Sequence, residues 1–373
     1  MKLLLSILSF SFFTLFCCHS PKESMCNRSI NIDSISEREF NDLIDEIRCI
    51  PLNKTSSAFF DCWKLIAYKN YFYIYSLSDF AVFIYSNDGN FIKKIDNRGK
   101  GKIETPTDIV INTVKDELWI CDSKTKINKY SLDGVFIKSI QPPKECIKMA
   151  FTNENTILVY ESLFDKNSNY LFRSYTYKWE DKGEFVNKGK MINTSTSYPP
   201  SLFAKDLLTN TMYALLLPKS TIYKWEKGKL IPFIYLNFNG NLLTEDKYPN
   251  NGFSDKQFAD IINENKYTYA IRDFQSISNK LFFKTIGGNS MYYLIDCVHG
   301  EDCKFSSLFD GFKPKMTNPI AGSDDKYLYL VQKKEDLANY YKDKNCNYEA
   351  INAIISFQEE LDGIIICIKL KIN

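Results

Sequence analysis

Four aspartates are the first residues in this chain that suggest chemistry. Asp88 and Asp133 stand 45 residues apart, each directly before a glycine, and Asp108 and Asp122 lie between them. Recurring carboxylates can ligate calcium through hard oxygen donors. Two of them suffice for acid and base work on a glycosidic bond. The same residue type also has a plain structural use, because Asp before Gly bonds its own backbone and shapes a hairpin turn. The turn role is the stronger reading for Asp88 and Asp133, and a structural role also leads for Asp108 and Asp122. No catalytic residue and no metal ligand is assigned.

Other catalytic sets fail on composition. His19 and His299 are the two histidines, and no Gly-x-Ser-x-Gly elbow occurs, so a serine nucleophile would lack its base. No Cys-x-x-Cys pair is present either, which argues against zinc. No cofactor is expected. Arg98-Gly99-Lys100-Gly101-Lys102 is basic and glycine-rich, but Ile103 follows where a phosphate loop needs Ser or Thr and then a helix. It reads as a link between structural units. With 47 basic against 45 acidic residues, well mixed, the chain offers no concentrated basic face for nucleic acid. Aromatics are a further lead: Tyr248 and Phe253, then Tyr267 and Tyr269, then Tyr340 and Tyr341. Exposed rings could stack on sugars or anchor a protein, although rings that pack onto their own rim are the commoner case.

The elements that must position these residues are read from an internal repeat. Residues 78–95 and 123–140 superimpose at an offset of 45, with nine of eighteen positions identical, among them Tyr85/Tyr130, Gly89/Gly134 and Phe91/Phe136. A period near 40–50 residues built of short strands points to propeller blades. Blade one spans strands Trp63–Tyr68, Tyr71–Ser76, Ala81–Tyr85 and Phe91–Ile95. Blade two repeats them at Asp108–Asn112, Glu117–Cys121, Ile127–Tyr130 and Val135–Ile140. Blades three and four are expected over 147–190 and 201–236, with Gly183 and Gly228 at the turn that Gly89 and Gly134 occupy earlier. A long connection follows, carrying a helix after Ser254. Blade five resumes at Ala270, and blade six runs from near Pro319 to a terminal strand at Gly363–Ile372, with a loop or short helix over Lys333–Glu349. A ring must close or leave exposed edges. Strand Ile47–Leu52 has no blade of its own, so it is expected to complete the last one. The fold class is therefore all-β, a six-bladed β-propeller closed by an N-terminal strand, with short helical insertions. The propeller is assigned to residues 46–373, and 18–45 are a tether with a helix capped at Ser36.

The N-terminus reads as an address. Met1-Lys2 precedes a run, Leu3 to Phe16, that is apolar but too short to span a bilayer. It is a secretory signal over residues 1–17. The run stops at Cys17-Cys18 and so resembles a bacterial lipoprotein signal, with Cys18 as the lipid attachment residue. Cys17 is the fallback, and an ordinary cleaved signal remains open. Export changes how the eleven cysteines are read. Nine remain after processing, an odd number, and Cys297 and Cys303 flank a turn as a possible disulfide. Cys49, Cys62, Cys121 and Cys367 sit in strand-like runs, where free cysteine acts as a small hydrophobe.

Pro106-Thr107-Asp108-Ile109, Leu118 to Ser123, Tyr130 and Asp133-Gly134 resemble an NHL repeat. The chain as a whole is similar to the six-bladed β-propeller lipoproteins abundant in Bacteroidetes. Glu46–Leu52 matches that family's first strand, and Leu361-Asp362-Gly363 its last, where Asp-Asn-Pro is more usual. The resemblance implies a lipid-anchored protein of the bacterial cell envelope, expected at the outer membrane, with no activity to carry over. The expected function is a non-catalytic binding or scaffold module for protein or glycan. The alternative is a propeller hydrolase or lyase using tunnel carboxylates, possibly with calcium.

Overall fold

The computed structural model describes residues 26–371 apart from 55–58, 60, 153, 162–168, 188–200, 217–218, 245–246, 248–254, 265, 289, 316–318 and 358. The signal segment, Cys18, His19, Tyr248 and Phe253 lie outside the described residues.

Six antiparallel four-stranded blades stand around one axis, and in the first five the strands follow sequence order from the axis outward. Blade one is Lys64–Tyr68, Tyr71–Ser76, Ala81–Ser86 and Phe91–Ile95; blade two is Pro106–Asn112, Glu117–Asp122, Lys126–Ser131 and Phe136–Ile140. Blades three, four and five open with innermost strands Lys148–Phe151, Phe203–Asp206 and Ala270–Ile277. Blade six holds Ile320–Ser323, Tyr327–Gln332 and Leu361–Leu370, and its outer edge is Ile44–Asn53 from the other end of the chain. Ile47 pairs with Ile368, Ile50 with Ile365 and Leu52 with Gly363. The expected closure is present.

These sheets form because their strands are apolar on both faces. Phe72 and Ile74 pack toward blade six, while Tyr73 and Tyr75 pack toward blade two. This period-two alternation gives each strand a neighbour on either side. Continuous apolar runs are what a sheet covered on both faces requires. The core is divided accordingly into six clusters, one at each junction between neighbouring blades. Ile364, Ile365 and Ile366 of the terminal strand are fully buried, and they alternate between two of these clusters.

The repeat is visible in three dimensions. The ladder between the third and fourth strands slips at Ile84/Tyr85 in blade one and at Lys129/Tyr130 in blade two. The turn after it needs a positive φ, supplied by Gly89 (82°) and Gly134 (83°). In blade three that place falls to Trp179, at 66°, whose N–H donates to the Thr176 carbonyl. Gly183, expected at this turn, lies instead inside strand Asp181–Asn187, opposite Ser174. Blade four turns at Lys227-Gly228 as expected.

The segment read as a tether is partly bound to the ring. Arg28–Asn31 runs parallel to the outermost strand of blade four, and Ser36–Glu37 runs parallel to that of blade five. Ser36 therefore caps no helix. The short helix is Phe40–Leu43, preceded by Glu39, which makes no side-chain capping bond. The long connection carries helix Asp255–Glu264, and blade six inserts helices Lys334–Tyr341 and Glu349–Ser356 before its third strand. Among the described residues no helix is long and apolar enough to cross a membrane.

Candidate functional site: the central tunnel

Innermost strands pack side by side around the axis between blades one and two, two and three, four and five, five and six, and six and one. Close approach is enforced at the seam between blades six and one. A Cβ on Gly322 would sit 2.1 Å from the Leu65 carbonyl oxygen, so no larger residue fits there. The strands enclose a cavity of about 190 Å³ with walls from all six blades. Ile66, Ile111, Met149, Phe151, Phe203 and Met212 are among its apolar lining residues. Its polar groups are few. Gln275 donates to Ser201 Oγ at 3.0 Å and accepts from Ser323 Oγ at 3.2 Å. The charged residues among the lining are Lys64 and Lys205.

The aspartates have other work. Asp108 is buried and accepts from Lys64 Nζ at 2.7 Å and from the Met149 N–H at 3.0 Å. It thus ties the innermost strand of blade two to those of blades one and three. Asp206 does the same between blades four and five, accepting from Ser276 Oγ at 3.1 Å and the Asn279 N–H at 2.7 Å. Asp273 accepts from the backbone of Ile320 in blade six. Asp122 accepts the Glu104 and Thr105 amides and pairs with Lys126. Asp133 closes its own turn with Ser131. These carboxylates are consumed by backbone N–H groups, serine hydroxyls and lysines of the frame. Among the described residues no three His, Cys, Asp or Glu side chains gather as a metal site.

One end of the tunnel is built unusually. In blade five the ladder slips between Arg272 and Gln275, and Asp273 within that bulge has φ 59°. Bulges re-aim side chains, and left-handed backbone at a non-glycine residue is strained. Here the bulge sends Arg272 past blade six, so that its guanidinium lies 4.7 Å from the Trp63 ring of blade one. The contact joins non-neighbouring blades near the start of the innermost strand of blade one. Among the described residues, Arg272 Nη2 is buried with no hydrogen-bond partner. Burial holds Arg272 below its usual pKa and lifts Asp273 to about 6, although Arg272 and Lys284 pull Asp273 the other way. At the other end, the hairpins after the innermost strands of blades two and four expose Val114, Leu207 and Leu208.

The remaining sequence candidates resolve as follows. Cys297 and Cys303 are both free. Cys303 packs into the junction of blades five and six and Cys297 into that of blades four and five, so the expected bridge is blocked by the sheet between them. Cys121 and Cys146 are brought together instead, both buried with Sγ atoms 3.4 Å apart. The Arg98–Lys102 stretch is the link between blades one and two, held by Tyr130 Oη donating to the Gly101 carbonyl. Tyr340 and Tyr341 donate to Asp310 and pack on each other, and Tyr340 also packs on Phe312. Tyr267 lies under Lys247 at 4.3 Å, and Tyr269 is half-buried.

With this geometry in view, comparison with known proteins places the chain. The profile of one family, described as Domain of unknown function (DUF4934), matches residues 27–369. The chain belongs to that family. Among solved structures, a "putative exported protein" from Bacteroides fragilis shares 17% identity at TM-score 0.74, over 91% of this chain and 99% of that one. A member of the DUF4221 family from Bacteroides vulgatus shares 10% identity at TM-score 0.53, over 89% and 98%. Virginiamycin B lyase from Staphylococcus aureus aligns at 15% identity and TM-score 0.44, over 77% and 81%. At these identities the likeness concerns the propeller fold. No curated protein matches the chain.

Proposed function

We propose that this DUF4934 chain is a non-catalytic binding module of the cell envelope, anchored through lipid on Cys18, which takes a protein or glycan ligand across the face where the tunnel opens. The observation that carries the reading is the tunnel wall: apolar, with lysines as its charged groups and no carboxylate among its described lining residues. A tunnel hydrolase working through carboxylates needs free acid groups, and Asp108, Asp206 and Asp273 are each spent on a neighbouring blade. Exposed Val114, Leu207 and Leu208 at the open end support contact with a partner there. Likeness to an exported Bacteroides propeller and the apolar N-terminal run support the envelope location.

Two measurements test this. Cys18→Ser should move the protein from the membrane fraction to the soluble one; continued membrane retention would refute the anchor. Glycan-array and envelope pull-down signals should fall in a Leu207→Asp, Leu208→Asp double variant. Undiminished capture would move the ligand off this face.

A further inference from the structure

The tunnel wall carries an imbalance that the frame does not explain. Lys64 is neutralised by Asp108 at 2.7 Å. Lys205 lines the same cavity and has no hydrogen-bond or ion-pair partner among the described residues, and only burial acts on its ammonium. It shares a face of its strand with Phe203, two residues before. A cation set among apolar side chains costs free energy unless a counter-charge meets it. The remaining wall offers Ile66, Ile111, Met149, Phe151 and Met212, which favour an apolar body by about 25 cal/mol per Å² removed from water.

We propose that the tunnel binds a small amphipathic organic acid, its carboxylate on Lys205 and its hydrocarbon part against the apolar wall. The acid group would accept from the Lys205 ammonium as a charge-assisted hydrogen bond, the strong kind in a low-dielectric site. A sugar ring would leave most of its hydroxyls unpaired on this wall, where Gln275, Ser201 and Ser323 already serve one another. This inference rests on the tunnel being the binding site of the module, and it is separate from whatever the surrounding face holds.

The test uses the full-length protein and three probes of one length: hexanoate, hexanol and hexylamine, titrated by calorimetry. Hexanoate should bind, hexanol more weakly and hexylamine not measurably. Lys205→Met should weaken hexanoate at least about tenfold, the effect of losing roughly 1.4 kcal/mol, and leave hexanol unchanged. Lys205→Arg should restore the acid. Because Lys205 bonds to no other side chain among the described residues, both variants should fold, and matching thermal midpoints check this. Should Lys205→Met unfold, the ranking of the three probes on the native protein decides alone. Equal binding of acid and alcohol, no binding of any probe, or an unaltered hexanoate affinity in Lys205→Met would overturn the proposal. Any of these results together with retained glycan or partner capture would leave the binding-module reading standing.

Discussion

Asp273 combines an unusual backbone with a displaced proton equilibrium in one side chain. It is buried at a strained bulge, and burial lifts its carboxyl to about 6 from the ordinary 3.8. A folded-state pKa above the unfolded one means that the native protein holds the proton more tightly. The stabilisation is complete below about pH 4 and fades as pH rises through about 6. Thermal unfolding should therefore show the native midpoint falling across that window relative to Asp273→Asn, which cannot ionise. Parallel curves for the two proteins would show that Asp273 keeps an ordinary pKa. The thiols make a second residue-scale expectation. Mild oxidation with diamide should join Cys121 to Cys146, whose sulfurs already touch, and peptide mapping should find no Cys297–Cys303 link. Spacing in the chain suggested the opposite, because proximity in sequence says nothing about which face of a strand a side chain takes. Lys205 was equally hidden. It is one of 47 basic residues, and only the assembled wall shows that it has no counter-charge among the described residues.

Strands and turns were the most readable level, for reasons that can be stated. Gly89 and Gly134 announce the hairpin because glycine reaches positive φ without strain. Trp179 makes the same turn in blade three with no such signal, so the nearby Gly183 drew the assignment. Blade six was legible as a pair, since Ile44–Asn53 and Leu361–Leu370 are both apolar and both lacked a partner. Arg28–Asn31 and Ser36–Glu37 were not, because such short segments carry no period and pair only where an outer edge already exists. Ile44–Asn53 is itself an edge, and it is blunted as edges are, with Pro51, Glu46 and Arg48 along it. The terminal strand is the opposite case, buried on both faces. Ile366→Ala should cost roughly 2–5 kcal/mol by leaving a cavity beside Cys49 and Leu330. Chemical denaturation measures this, and a loss under about 1 kcal/mol would mean that the closing strand carries little of the stability.

At the scale of the whole molecule, the junctions matter more than the sheets. Six clusters of comparable make-up divide the core, and each is shared, so a blade missing its neighbour exposes an apolar face. A chain shortened to end before Leu361 should therefore lose more than one strand. We expect it to bind a hydrophobic dye, to be cut by protease throughout blades one and six, and to melt without a sharp transition; a cooperative, protease-resistant product would show that the ring is stable open. The propeller itself was foreseeable from the 45-residue offset. The tunnel was not, because its wall is assembled from six distant segments and no short stretch of sequence contains it.

The pairing of residues 44–53 with 361–370 also sets an order of events. The first of these segments is synthesised well before the second exists. Until then its apolar face has nowhere to go, and the contact that shields it spans nearly the full sequence, the kind of closure that is slow to find. Such a protein passes through a vulnerable interval on every round of synthesis, with an unpaired apolar strand open to wrong pairing.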